Sequence, residues 1–121
     1  MRALLDTNIV IDYLNGVPAA ADTIERWRQL LISRISWLEV LAGVIDTPAE
    51  APVRAFLGTL RLIELTPAVA EETIRARQQL RLRLPDAIIL ATARVEGATL
   101  LTRDTKHFDP SWPEVREPYR L

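Results

Sequence analysis

Short apolar segments alternate with helical patterns along this chain, and the alternation restricts its fold more than any single residue does. Strands are predicted at Arg2 to Asp6, Leu31 to Ser33, Leu62 to Leu65 and Ala98 to Thr102. One or two helices separate successive strands, which favours an α/β fold with a central, mainly parallel sheet. Right-handed crossovers place helices on both faces of such a sheet, so three layers are expected.

Local signals place the helices between these strands. The predicted helices end at three glycines, Gly16, Gly43 and Gly97. The segment "AAADTIERWRQLL" is predicted to be helical with Leu31 on its inward face. Thr47 to Glu50 matches a capping box, which predicts a helix beginning at Pro48. The segment "EVREPYRL" near the C-terminus is a candidate edge strand.

The composition excludes several classes of protein. With 121 residues, 49% of them hydrophobic and 26% charged, the chain is expected to form one globular domain over residues 1–121. The absence of cysteine excludes disulfides, thiolate catalysis and cysteine zinc sites. No secretory signal or membrane-spanning run is predicted, so a cytoplasmic location is expected. A net charge of −1 gives no global attraction to nucleic acid.

One acid lies where an apolar helix begins. In "LPDAIILATA", Asp86 follows Pro85 and precedes a run that is aliphatic apart from one threonine. The helix dipole favours a carboxylate in the first turn, typically by about 0.3–1 kcal/mol. This effect explains why an acid is tolerated at position 86, but not why an acid is needed beside so much apolar sequence. We therefore predict a functional role for Asp86.

Three further acids lie at the ends of predicted elements. Asp6 and Asp104 follow strands, and each also fits an ordinary turn or helix cap. Glu39 borders the inward face of its helix. If Ser36 caps that helix, Glu39 completes a capping box; if Ser33 is the cap, Glu39 lies in the second turn.

These four acids are expected at the same edge of the sheet. In open parallel sheets, sites form in the crevice beyond the carboxyl ends of the strands. Four carboxylates close together repel one another, and a hard cation such as Mg²⁺ or Mn²⁺ with oxygen ligands removes that repulsion. Asp86 is accordingly predicted to be a metal ligand. Asp12 is a weaker candidate that is expected on an exposed helix face, and Asp109 is expected in a turn.

Four segments in order resemble the PIN-domain ribonucleases, and among them the VapC-type toxins of bacterial toxin–antitoxin pairs. They are "LLDTNIVIDYL", "ISRISWLEVLAG", "LPDAIILATA" and "LLTRDTKHF". The resemblance implies a PIN-like three-layer α/β/α fold. The catalytic acids it implies are Asp6, Glu39, Asp86 and Asp104. Of these, Asp6, Asp86 and Asp104 would bind the metal, and the supporting polar residues would be Asn8 and Thr102.

The resemblance also implies an activity and partners. It implies a Mg²⁺- or Mn²⁺-dependent endoribonuclease that uses activated water, is neutralised by a cognate antitoxin and forms a homodimer. Arg103, Lys106 and His107 flank the fourth segment and are candidate contacts to the RNA backbone. Arg81 and Arg83 are further candidates, although an ordinary solvated face explains them equally well. The apolar segment "VRAFLGTLRLI" fits either partner docking or core packing.

Two other functions stay open from the sequence. Phosphatases and receiver domains that work through a phosphoryl-aspartate also place an Asp after the first strand and bind Mg²⁺. The phosphatase pattern needs a second acid two residues later, where this chain has Asn8. The other alternative is a PIN-like module that binds RNA or protein without cleaving it.

Overall fold

The computed structural model describes all 121 residues. Along the chain its elements are β1 (Arg2–Leu5), α1 (Thr7–Leu14), α2 (Pro18–Glu25), β2 (Gln29–Ser33), α3 (Arg34–Ala42), α4 (Glu50–Leu57), β3 (Arg61–Ile63), α5 (Pro67–Leu80), α6 (Leu84–Glu96), β4 (Thr99–Leu101) and β5 (Val115–Arg116). None of the helices combines the length and hydropathy needed to cross a bilayer.

The five strands form one sheet in the order β3-β2-β1-β4-β5, and every pair of neighbours is parallel. The prediction of a parallel sheet with an edge strand near the C-terminus is therefore confirmed. β2 lies on one side of β1 and β4 on the other, with Leu5 paired to Leu101. The direction of strand addition reverses at β1, so a crevice opens beyond the carboxyl ends of β1 and β4.

Helices cover both faces of the sheet, which confirms the three-layer α/β/α architecture. Side chains alternate along β1: Leu4 packs into one core with α5 and α6, while Ala3 and Leu5 pack into the other with α1, α3 and α4. All three side chains are fully buried. A strand buried on both faces reads as a continuous apolar run, which is why "ALL" predicted it well.

The prediction for the second helix was wrong at its end. α2 stops at Glu25, and Leu31 belongs to β2 instead of the helix face to which it was assigned. Parallel pairing with β1, where Leu4 lies beside Leu31, competes with the local helical pattern. Strand pairing is favoured over helix formation because it buries Leu31 fully.

The capping-box prediction was also wrong in register. α4 begins at Glu50, and Thr47 accepts a hydrogen bond from the backbone N–H of Ala49 at 3.2 Å instead of that of Glu50. The Glu50 carboxylate reaches back to the N–H of Asp46 at 2.9 Å. The reciprocal bonding of a capping box is thus present in part, but it closes a turn ahead of the helix.

Candidate active site

Asp6 occupies the carboxyl end of the central strand, beside the end of β4. It is the N-cap of α1, and its Oδ1 accepts a hydrogen bond from the N–H of Thr7 at 2.8 Å. The cap explanation of this acid is therefore correct, but it accounts for only one carboxylate oxygen. The side chain is almost completely buried.

The second oxygen of Asp6 is held by two polar side chains from the predicted supporting set. The hydroxyl of Thr102 donates to Oδ2 at 2.6 Å, and the side-chain amide of Asn8 donates to the same oxygen at 3.1 Å. The Thr102 hydroxyl also accepts from the N–H of Asp104 at 2.9 Å, so one buried hydroxyl links two of the predicted acids. The structure thus brings Asp6, Asn8, Thr102 and Asp104 together.

The pKa of Asp6 is raised from 3.8 to about 6. Burial is the main cause, because it disfavours the charged form. The hydrogen bonds from Thr102 and Thr7 act in the opposite direction, while the charges of Asp86 and Asp104 raise the pKa further. Both of these carboxylates therefore lie close enough to Asp6 to repel it.

Asp86 lies in the first turn of α6 and is 8% exposed. Its Oδ2 accepts two hydrogen bonds from the guanidinium of Arg83, at 3.1 and 3.0 Å. Arg83 is the N-cap residue and makes no capping bond with its side chain, and Asp86 accepts no backbone N–H. Asp86 therefore does not cap its helix, and its Oδ1 has no hydrogen-bond partner.

Glu39 joins the site through Thr7. The hydroxyl of Ser33 accepts from the N–H of Ser36 at 3.2 Å, so Ser33 is the cap and Glu39 lies in the second turn of α3. This resolves the alternative that the sequence left open. The Thr7 hydroxyl donates to Glu39 Oε1 at 2.7 Å, while the Thr7 backbone N–H binds Asp6.

Asp86 and Asp104 lie near Asp6, and Glu39 is linked to Asp6 through Thr7, but the four acids do not form a ready cluster of metal ligands. No three His, Asp or Glu side chains are arranged closely enough to hold a metal ion. Each acid instead has its own partner: Asp86 binds Arg83, Glu39 binds Thr7, and Asp104 Oδ2 lies 2.8 Å from His107 Nδ1. Because like charges repel, carboxylates with separate partners stay apart. Their assignment as metal ligands stays a prediction.

The candidate RNA contacts differ in whether their side chains already have hydrogen-bond partners. Arg103 forms two hydrogen bonds with Asp12, at 2.5 and 3.0 Å, so its guanidinium is already engaged. His107 is bound to Asp104, whereas Lys106 is exposed and makes no side-chain hydrogen bond. The expectation of an exposed Asp12 was wrong: the residue is 6% exposed because Arg103 and Tyr119 both bind its carboxylate.

Three residues near the acids were missed in the sequence. Thr7 and Ser36 have hydroxyl oxygens 2.9 Å apart beside Glu39, and Tyr119 donates to Asp12 at 2.7 Å. Thr7 lies between two predicted site residues, and this position is a signal that was available. Ser36 and Tyr119 carry no such signal, because their partners lie on distant segments.

An apolar groove lies next to Glu39, between α1, α3 and α4. It has a volume of about 420 Å³. Its lining comprises Ile11, Leu14, Asn15, Glu39, Val40, Gly43, Val44, Ala49, Pro52 and Val53. The segment "VRAFLGTLRLI" contributes Val53 alone to this lining. Its residues Leu57, Leu60 and Ile63 are buried in the core, and Phe56 and Leu62 are half-buried and pack against it. Core packing is therefore the main role of that segment.

Comparison with known proteins identifies consistent relatives. The family model described as PIN domain matches residues 3–111. Ribonuclease VapC19 of Mycobacterium tuberculosis is 33% identical, with 96% of this chain and 98% of the relative covered. Ribonuclease VapC10 of the same organism is 31% identical, with 98% and 93% covered.

Solved structures agree with these relatives. A chain from a toxin–antitoxin complex of Klebsiella pneumoniae superposes with a TM-score of 0.93 at 42% identity, covering 98% of this chain and 99% of that one. VapBC2 from Rickettsia felis, bound to a DNA fragment from its promoter, gives a TM-score of 0.76 at 25% identity, with 89% and 91% covered.

Proposed function

Since this chain belongs to the PIN-domain family, we propose that it is a VapC-type toxin, a Mg²⁺- or Mn²⁺-dependent endoribonuclease. The observation that carries the proposal is the buried carboxylate of Asp6, which Asp86 and Asp104 both repel at the carboxyl edge of the sheet. The relatives named as ribonucleases and the toxin–antitoxin neighbour support it. A cytoplasmic location and a single domain over residues 1–121 are part of the same proposal.

The donor set fits a hard divalent cation. Asp6, Asp86 and Asp104 supply carboxylate oxygens, the ligands that Mg²⁺ and Mn²⁺ prefer, and no softer ligand is near except His107. Asp86 Oδ1 has no hydrogen-bond partner in the protein and is available as a ligand. When bound, the cation would supply the positive charge that activates a water molecule for attack on a phosphodiester.

The protein's own residues would hold this centre in shape. Thr7, Asn8 and Thr102 fix both oxygens of Asp6, so the carboxylate has little freedom to turn. Glu39 is oriented by Thr7, which also binds Asp6, and it would accept a proton from the attacking water. Of the three basic residues that flank the fourth segment, Lys106 is exposed and free to contact an RNA phosphate.

The antitoxin and a second copy of the chain belong to the proposal as partners. The groove beside Glu39 is apolar along most of its length and acidic at that residue. An amphipathic helix with a basic residue at one end has the chemistry to fill it, in the helix-in-groove mode. The similar Klebsiella pneumoniae chain comes from a toxin–antitoxin complex, which supports a partner of this kind. Homodimerisation rests on the family resemblance.

Incubation of the purified protein with total tRNA and rRNA tests the activity. We expect new RNA ends in Mn²⁺ or Mg²⁺, none in EDTA, and recovery when excess metal is added back. Asp6→Ala should abolish cleavage, whereas Asp109→Ala, which removes an exposed turn acid, should not. Undiminished cleavage in EDTA would refute the metal mechanism. RNA binding without cleavage under every metal condition would favour the non-cleaving PIN-like module instead.

A further inference from the structure

The last ten residues lie beyond the span that the PIN domain model matches, yet they contact Thr102 and Asp12 beside the acidic centre. Within this segment, β5 pairs with β4, and the carbonyl of Arg116 accepts from the N–H of Thr102 at 3.1 Å. Three residues later, the hydroxyl of Tyr119 donates to Asp12 Oδ2 at 2.7 Å. The C-terminal segment is therefore tied to both β4 and α1 at the edge where the acids lie.

Asp12 is a buried carboxylate with three hydrogen bonds. Arg103 donates two of them and Tyr119 the third. Burial acts to raise the pKa of Asp12, but the bonds from Arg103 and Tyr119 outweigh it and lower the pKa. The charged carboxylate therefore holds the Arg103 side chain in one position. Tyr119 donates to Oδ2, the same oxygen that Arg103 Nε binds, and so restrains the carboxylate itself.

The backbone of Arg103 connects Asp12 to the residues around Asp6. Its N–H donates to Asn8 Oδ1 at 3.2 Å. An asparagine amide can face either way, and a donor at its oxygen decides between the two orientations. With Oδ1 turned to Arg103, the Asn8 amide nitrogen points to Asp6 Oδ2 at 3.1 Å. The orientation of Asn8 thus depends on where the Arg103 backbone lies.

We propose that Tyr119 is a positioning residue for the acidic centre, acting on Asn8 and Asp6 through Asp12 and Arg103. The inference rests on the proposed ribonuclease function for its kinetic consequence, because reacting groups displaced by a fraction of an ångström lose rate. Tyr119 touches neither substrate nor the four acids of the centre. Its removal should impair the chemical step and leave RNA binding unchanged.

Tyr119→Phe tests this positioning role, because it removes one hydroxyl and keeps the ring. In the Mn²⁺ cleavage assay with a tRNA pool, we expect kcat to fall roughly tenfold at an unchanged KM, the size of effect typical for groups that orient metal ligands. The same substitution should cause no further loss in an Asn8→Ala background, since both act through one route. Glu114→Gln is the matched control, because it removes a C-terminal ion pair with Arg94 away from the acids.

A second readout does not depend on activity. Asn8 and Asn15 are the only asparagines, so Asn8→Ala identifies the side-chain amide signals of Asn8 in a ¹⁵N spectrum. Tyr119→Phe should shift those signals in EDTA, and Glu114→Gln should not. Unmoved Asn8 signals, or equal effects of both substitutions, would overturn the proposal. A wild-type protein that cleaves no RNA would refute the proposed function. The amide shifts would still show whether Tyr119 positions Asn8.

Discussion

Asp86 shows how one residue can be judged by its hydrogen bonds. A helix cap would be bonded to a backbone N–H, but the carboxylate of Asp86 is bonded only to Arg83. The Arg83 side chain is 69% exposed, and an ion pair with such an exposed partner contributes little stability. The need for an acid at the start of an apolar helix is therefore not explained by folding, and the proposed metal site explains it.

Asp86→Asn separates these roles. We expect RNA cleavage to fall at least roughly 100-fold, because the cation loses a charged oxygen ligand. The free energy of unfolding in EDTA should change by less than about 1 kcal/mol, since one weak ion pair is lost while repulsion on Asp6 is relieved. Thermal unfolding and the cleavage assay on the same preparation measure both. An active but destabilised variant would assign Asp86 to structure.

The raised pKa of Asp6 predicts how stability depends on pH. In the folded protein Asp6 binds its proton up to about pH 6, compared with 3.8 as the ordinary value. The folded state therefore binds more protons between these values, so this group makes the protein less stable as pH rises from 4 to 6. In EDTA the loss should be on the order of 2–3 kcal/mol and complete above about pH 6.

Denaturant unfolding of the wild type and Asp6→Asn at pH 4, 5, 6 and 8 measures this contribution. The asparagine cannot titrate, so the variant should lack the decrease in the free energy of unfolding that Asp6 causes as pH rises. Asp109→Asn is a suitable control, because the pKa of exposed Asp109 is lowered by hydrogen bonds from Ser111 and its removal should leave the decline intact. Parallel curves for the wild type and Asp6→Asn would show that the Asp6 pKa is not raised.

At the scale of elements, the sequence predicted most of the fold. Strands buried on both faces and helices with clear stop signals were assigned correctly, since their patterns follow from burial alone. The two failures described above have different causes, one distant in sequence and one local. α2 ends early because β2 pairs with β1, and α4 starts late because Asp46, with φ at +61°, continues a turn after α3.

Gly97 ends α6 with φ at +61°, and a Cβ there would meet no atom within 4 Å. Gly97→Ala should therefore cost only the backbone strain of the left-handed conformation, roughly 1–2 kcal/mol. Gly43 ends α3 with φ at −78°, where a Cβ would lie 3.6 Å from the carbonyl of Val40. Gly43→Ala should be neutral or slightly stabilising. Chemical denaturation measures both, and equal destabilisation would contradict this explanation.

At the scale of the whole molecule, topology brings the acidic site together. Thr102 and Asp6 are 96 positions apart in sequence, yet they share a hydrogen bond because β4 pairs with β1. The order of motifs and the rule for parallel sheets predicted this meeting. The pairing of Asp12 with Arg103 was not predictable, because each residue alone resembles an ordinary surface charge and no periodicity links them.

The acidic centre is the one site in this chain for which we propose chemistry, and growth of living cells tests that proposal. Expression of the chain alone in a bacterium should arrest growth, and Asp6→Ala should relieve the arrest. Asp6→Ala also removes the cap of α1 and leaves the buried Thr102 hydroxyl without its acceptor, so misfolding must be excluded as the source of the relief. Equal soluble levels and similar unfolding temperatures of the two proteins check this point. Gly97→Ala serves as the control that lowers stability and leaves the acids in place, so it should remain toxic. If Asp6→Ala arrests growth as strongly as the wild type, the acidic centre is not the source of toxicity.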